Sequence, residues 1–180
     1  MRYPIELFTP RLQLRQWRPS DLEPFVAMNA DPEVMRYYPA TWTKEQSHAF
    51  AQQVMRLIDE RGWGFWAVEA RASGHFIGFV GLHIPSHHLP FSPCVEIGWR
   101  LAQSYWGLGY ATEAAQSAIA FGFEQLALPE LVAFTALTNQ PSRALMERLC
   151  MRLDCEFDHP QVAVESSLRR HVLYRLSSPP

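Results

Sequence analysis

The sequence predicts a single mixed α/β (α+β) domain. Three observations carry that reading: a chain of 180 residues, a capped amphipathic helix followed by three strand-like runs, and an alanine-rich helix followed by alternating strand and helix patterns. At about 150 residues per domain the chain fits one unit, taken as residues 1–176 with a short tail at 177–180. With 48% apolar and 19% charged residues it has the material for a packed core and no need of disulfide staples.

Along the chain, Leu12 and Leu14 alternate with Gln13 and Arg15 as a strand, and Pro19-Ser20-Asp21 then caps a short helix carrying Leu22, Phe25 and Val26. Thr43-Lys44-Glu45-Gln46 is a capping box. Phe50, Val54, Leu57 and Ile58 make one apolar stripe and Gly62 follows as a stop, so the spacing predicts a helix over roughly residues 44 to 61. Runs at 64–70, 75–84 and 95–101 read as an antiparallel meander, the first two joined by Arg71-Ala72-Ser73-Gly74. The proline-rich connection 85–93 is a loop. From Tyr110, a stripe of Ala111, Ala114, Ala115, Ala118, Ile119 and Gly122 predicts a helix pressed close to a sheet. A strand at 131–138, a helix opening at Asn139-Gln140-Pro141 and a terminal strand at 170–176 complete the pattern.

Sixteen basic and eighteen acidic side chains nearly cancel, so no broad positive field favours nucleic acid, and no such partner is expected. The longest apolar run, 76–82, falls far short of the roughly 20 residues that cross a bilayer, so no membrane partner is expected either. The start, with Pro4 and Glu6, does not read as a signal peptide, and Cys94, Cys150 and Cys155 form no C-x-x-C pair. Free thiols in the cytoplasm are the expectation. His83 and His87 stand four apart with Pro85 between them, a poor arrangement for metal ligands, and no metal is expected.

The strongest chemical signal is the strand Val95 to Leu101, then Gly107-Leu108-Gly109 and a helix start at Tyr110. Two residues without Cβ atoms let backbone N–H groups approach a ligand, and the helix start adds unpaired N–H groups and its positive dipole end, a setting for a pyrophosphate. The same glycines also serve a tight turn needing positive φ. Thr112 stands where a dinucleotide-binding turn wants its third glycine, and the Gly-Lys-Ser/Thr of a Walker loop is absent.

Glu96-Ile97-Gly98-Trp99-Arg100-Leu101, Tyr105-Trp106-Gly107-Leu108-Gly109-Tyr110-Ala111-Thr112-Glu113-Ala114 and Thr138-Asn139-Gln140-Pro141-Ser142 together resemble the GNAT superfamily of acyl-CoA-dependent N-acetyltransferases. Within it they are most similar to the ribosomal-protein N-terminal acetyltransferase (Rim-type) branch. Thr9-Pro10-Arg11-Leu12 and Arg170-His171-Val172-Leu173-Tyr174 extend the resemblance over nearly the whole chain. It implies a mostly antiparallel central sheet flanked by helices and split between its fourth and fifth strands, with acetyl-CoA as acyl donor in the split. By resemblance, backbone groups of Trp99 and Leu101 pair with the pantetheine, and N–H groups of Trp106, Gly107, Leu108, Gly109, Tyr110 and Ala111 hold the pyrophosphate. Asn139 matches the asparagine that bonds pantetheine, and Ser142 the serine proposed to protonate the departing thiolate or to orient the sulfur. Asn139 is also placed to cap a helix.

The chain departs from the family at Ser104, where many members have arginine or glutamine, at Met146, where a tyrosine acid is common, and at Cys150, where glycine is usual and a less sharp helix exit is expected. The base candidate is Glu96, directly or through water; its other reading is a structural carboxylate paired with Arg100 or another cation. His83 is a second base candidate. Tyr37, Tyr38, Trp42, Trp63 and Trp66 are candidates to line an acceptor pocket. The implied activity is acetyl transfer to a primary amine, a protein N-terminus or a small molecule, by direct attack on the thioester. The competing readings are an inactive acyl-CoA-binding regulatory module and an NAD-dependent oxidoreductase. The acceptor and the oligomeric state are left open, a homodimer included.

Overall fold

The computed structural model describes residues 4–179. Its strands are β1 (Leu7–Phe8), β2 (Leu12–Arg15), β3 (Phe65–Ala70), β4 (His75–His83), β5 (Glu96–Leu101), β6 (Glu130–Ala136), β7 (Arg152–Asp158) and β8 (Arg170–Ser177). The helices are α1 (Leu22–Ala30), α2 (Lys44–Arg61), α3 (Tyr110–Glu124) and α4 (Gln140–Arg148). The strands form one sheet in the order β1-β2-β3-β4-β5-β6-β8-β7, antiparallel throughout except between β5 and β6. The expected split falls between these two, which are fourth and fifth once the two-residue β1 is set aside. The final strand reaches Ser177, and the Ser178 N–H donates to the Pro129 carbonyl at 2.9 Å, so the last residues begin as an extension of the sheet.

Helix α2 has the boundaries its sequence signals define. Thr43 Oγ1 accepts from the Gln46 N–H, Gln46 reaches back to the Thr43 N–H, and Gly62 closes the helix at φ 87°. Phe50 of α2 and Phe25 of α1 meet Phe79 on one face of the sheet, and Phe50 also stacks on Phe65. The opposite face carries α3, whose Phe121 packs edge-on against Trp66. Ala114, Ala115, Ala118 and Gly122 are all buried there, so small residues set the close approach of this helix. At the α4 exit Cys150 itself adopts φ 61°, with its N–H donating to the Glu147 carbonyl. The exit is therefore tight without glycine, at a strain of roughly 1 kcal/mol.

The connection 84–95 is irregular, as expected, yet it is anchored. Leu89 is fully buried with Val132, Phe157 and Leu173 in a small second core. Above it His159 packs between His87 and His171, with ring centroids 5.3 and 4.8 Å away. Burial, then the neighbouring His171 and His87, push His159 down to about 4. Among the described residues no group of His, Cys, Asp and Glu converges as a metal site.

Candidate acyl-donor and acceptor site

Strands β5 and β6 pair at one register only, Glu96 with Val132, and then diverge. Ala102 donates its N–H to Ile77 on the β4 side, so by the period of two Trp99 and Leu101 turn their N–H and C=O groups into the gap beside β6. The gap thus has an unpaired strand edge, the kind that an amide-containing ligand segment extends. One group there is already engaged, since the Trp106 indole donates to the Leu101 carbonyl at 2.8 Å. The Leu101 N–H and both Trp99 groups keep the edge open.

The chain next makes a short 3-10 turn over Gln103–Tyr105 and an exposed loop into α3. Gly107 and Gly109 take φ 72° and 80°, so the turn reading of these glycines holds. Trp106 differs from expectation: its N–H already donates to the Gln103 carbonyl at 3.0 Å and is not free for an anion. From Gly107 through Leu108, Gly109, Tyr110 and Ala111 to Thr112, the N–H groups have no backbone partner among the described residues, as the first turn of a helix requires.

Asn139 stands just past the end of β6 and caps α4. Its Oδ1 accepts from the Ser142 N–H at 3.2 Å and its Nδ2 donates to Thr135 Oγ1 at 2.8 Å. The cap fixes the first turn of α4 so that Ser142 Oγ meets the Trp99 indole N–H, a long contact of 3.4 Å bridging the two sides of the gap. Met146, about one turn further along α4, is buried at 2% exposure and is no proton donor.

Glu96 points to the face opposite Trp99, as the strand period demands. A Cβ on Gly98 would lie 3.0 Å from the Phe65 ring and 3.3 Å from Glu96 Oε1, so the missing Cβ is what lets the carboxylate lie over its own strand. His83, the register partner of Glu96 on β4, stacks on Phe65 with centroids 5.1 Å apart. Burial pushes the Glu96 carboxyl up to about 8. The pairing with Arg100 does not occur: four residues along a strand span about 13 Å, and Arg100 instead donates to Asn29 Oδ1 at 2.7 Å, with Tyr38 and Trp42 against its guanidinium at 4.2 and 4.5 Å. No cation or hydrogen-bond donor pairs with Glu96 among the described residues. Burial, with Arg61 and His87 adding to it, brings His83 down to about 4.

Of the aromatic candidates, Tyr38 and Trp42 lie on the Glu96 side of the sheet, in the segment between α1 and α2. Trp66 does not. It is fully buried on the α3 face, its indole donating to the Ile5 carbonyl at 2.7 Å.

An open strand edge and a loop of free N–H groups at a helix start thus border one gap in the sheet, and a half-buried carboxylate stands at the last paired position of the same strand. Residues 11–152 match the model of the acetyltransferase (GNAT) domain family. The chain belongs to the GNAT acetyltransferase family. It is 30% identical over 150 residues to an uncharacterised N-acetyltransferase, YoaA, of Bacillus subtilis, covering 82% of each chain. Among solved structures, an acetyltransferase from Agrobacterium tumefaciens is similar at TM-score 0.77 and 26% identity, covering 99% of this chain and 98% of that one. RimJ of Mycobacterium smegmatis, solved in complex with CoA-disulfide, shares the fold at TM-score 0.77 and 19% identity, covering 97% of this chain and 88% of its own. This GNAT protein is accordingly an acyltransferase of the N-acetyltransferase class, with acetyl-CoA as co-substrate. No helix among the described residues is long and apolar enough to cross a membrane.

Sequence reasoning missed the contribution of the Thr9–Leu12 turn, which docks on the start of α3 through Arg11 and Glu113. The signal available was the presence of both residues in the quoted motifs. Nothing in the sequence joins positions 102 apart.

Proposed function

We propose that this GNAT protein moves the acetyl group of acetyl-CoA to a primary amine by direct attack on the thioester, with Glu96 as the base. The observation that carries the reading is a half-buried carboxylate on the strand that borders the gap, with no cation beside it among the described residues and with desolvation pushing it up to about 8. A base is most useful when its pKa lies near the working pH, which favours Glu96 over His83 at about 4. The acceptor in this reading is a protein N-terminus, as the resemblance to the Rim-type branch implies, or a small amine.

In this reading acetyl-CoA lies along the open edge of β5. Trp99 and Leu101 backbone groups meet the pantetheine, Asn139 bonds it, and the N–H groups from Gly107 to Ala111 hold the pyrophosphate. The amine nitrogen bonds the thioester carbon while its proton passes to Glu96. The C–S bond then breaks, and the thiolate takes a proton from water ordered by the Ser142 hydroxyl or from that hydroxyl as it regains one from water, while Glu96 releases its proton to solvent. Cys94, Cys150 and Cys155 are free, consistent with a cytoplasmic protein.

The test is a thiol-release screen with acetyl-CoA against N-terminal peptides, polyamines, amino acids and aminoglycosides. Thiol released in proportion to acceptor supports transfer. Acetyl-CoA binding with no release across the screen supports the regulatory-module reading, which the buried Met146 in place of a tyrosine acid favours.

A further inference from the structure

The Thr9–Leu12 turn has no part in the mechanism above, yet it is mounted rigidly against the donor loop. The Thr9 N–H donates to the Leu12 carbonyl and the Leu12 N–H to Thr9 Oγ1, closing the turn. Arg71 fixes it from behind, its side chain on the Thr9 carbonyl and its N–H on the Arg11 carbonyl. From this mount Arg11 reaches α3. Its Nε donates to Glu113 Oε2 at 2.6 Å, its N–H to Glu113 Oε1 at 2.9 Å, and its guanidinium lies over the Tyr110 ring at 4.5 Å. The remaining fork donates from Nη1 to the Leu108 carbonyl at 2.9 Å.

That last bond lies inside the loop proposed to hold the pyrophosphate. In a trans peptide the C=O and the following N–H point in opposite directions, so fixing the Leu108 carbonyl on Arg11 aims the Gly109 N–H away from Arg11, toward the other free donors of the helix start. It also quenches a carbonyl oxygen that would otherwise repel an anion. Gly109 suits the arrangement twice over, since its φ is 80° and a Cβ there would lie 3.3 Å from Arg11 Nη2. Burial alone would raise the Glu113 carboxyl, but Thr9, the Arg11 N–H and the Arg11 side chain together hold it below its ordinary value, so Glu113 stays charged and keeps Arg11 in place.

We propose that Arg11 is a positioning residue of the acyl-donor site, setting the Leu108–Gly109 peptide so that its N–H faces the pyrophosphate of CoA. The proposal rests on the acetyl-CoA reading above. It calls on Arg11 for loop geometry and very little for folding, because an ion pair with Arg11 47% exposed contributes little to stability.

Calorimetry on the wild type, Arg11→Met, Arg11→Lys and Arg11→Met/Glu113→Gln, each titrated with CoA, dephospho-CoA and pantetheine, tests it. Arg11→Met should bind CoA and dephospho-CoA about tenfold more weakly, the scale of one lost charge-assisted hydrogen bond, with pantetheine affinity unchanged. Arg11→Lys should be weakened as well, since a compact ammonium lacks the planar fork that holds Glu113 on Nε and the Leu108 carbonyl on Nη1. Unchanged CoA affinity in folded Arg11→Met, or an equal loss for pantetheine, overturns the proposal. So does full recovery in the double variant, which would reduce Arg11 to neutralising Glu113. A wild type that binds neither CoA nor dephospho-CoA overturns the acetyl-CoA reading itself, a different failure.

Discussion

Replacing Glu96 by glutamine tests the catalytic reading through two independent measurements. Raising a carboxyl from an ordinary 4.5 to about 8 corresponds to roughly 5 kcal/mol in favour of its neutral form. At pH 7 only about a tenth of the free enzyme then carries the ionised base, so kcat/KM should climb about tenfold per pH unit and level off above pH 8. Glu96→Gln should lower the rate by 100-fold or more, the scale of general base catalysis, with the deficit greatest from about pH 9 upward, where the wild type is mostly ionised. An acceptor amine ionising near the same pH produces a similar rising limb, so the profiles of the two proteins must be compared with one acceptor. The second measurement is stability. Because the folded pKa is raised, the contribution of this group is fully present below pH 4.5 and is lost as pH rises to about 8, at about 1.4 kcal/mol per pH unit between those limits. Glu96→Gln should remove that slope and be the more stable protein at pH 8 in urea titrations. A rate within a few-fold of wild type at every pH, or parallel stability profiles, would refute the assignment.

Four further outcomes follow from the site. Gly109→Val meets both the positive φ and Arg11 Nη2, and should abolish CoA binding by calorimetry while the strain, roughly 1–3 kcal/mol, lowers the melting temperature without unfolding the protein. Asn139→Ala removes the cap on Ser142 and the bond to Thr135, costing about 1 kcal/mol, and should also weaken acetyl-CoA binding; lower stability with an unchanged dissociation constant would confine Asn139 to structure. Ser142→Ala should lower turnover about tenfold or less with CoA affinity intact, because a hydroxyl is a poor acid at neutral pH and water can substitute for it. With His83 and His159 both lowered from 6.5 to about 4, stability from these groups is complete above pH 6.5 and is lost as pH falls toward 4, so acid unfolding in urea should be shallower in His159→Gln.

Features written within one turn or one strand were legible. The Thr43 capping box and Gly62 bound α2, and the alternation around Trp99 put Glu96 on the other face of β5. In β7 the alternation of Arg152, Asp154 and Glu156 with Leu153, Cys155 and Phe157 is broken by a bulge between Leu153 and Cys155. This is an edge strand exposed at every residue except Phe157, so its pattern reflects little burial. Features that depend on long-range packing were not legible. The expected Glu96–Arg100 pair failed because strand geometry separates the two residues and Tyr38, Trp42 and Asn29 arrive from another part of the chain to take Arg100. That capture has a chemical consequence. Arg100 is the cation on the Glu96 face of the same strand, and it is held against aromatic rings with its Nε buried and unpartnered. A cation free to pair with Glu96 would pull the carboxyl back toward its ordinary range and weaken it as a base. Strand spacing and the aromatic cage both keep Arg100 away from Glu96, and burial alone then raises the carboxyl, which is the condition the proposed base role requires.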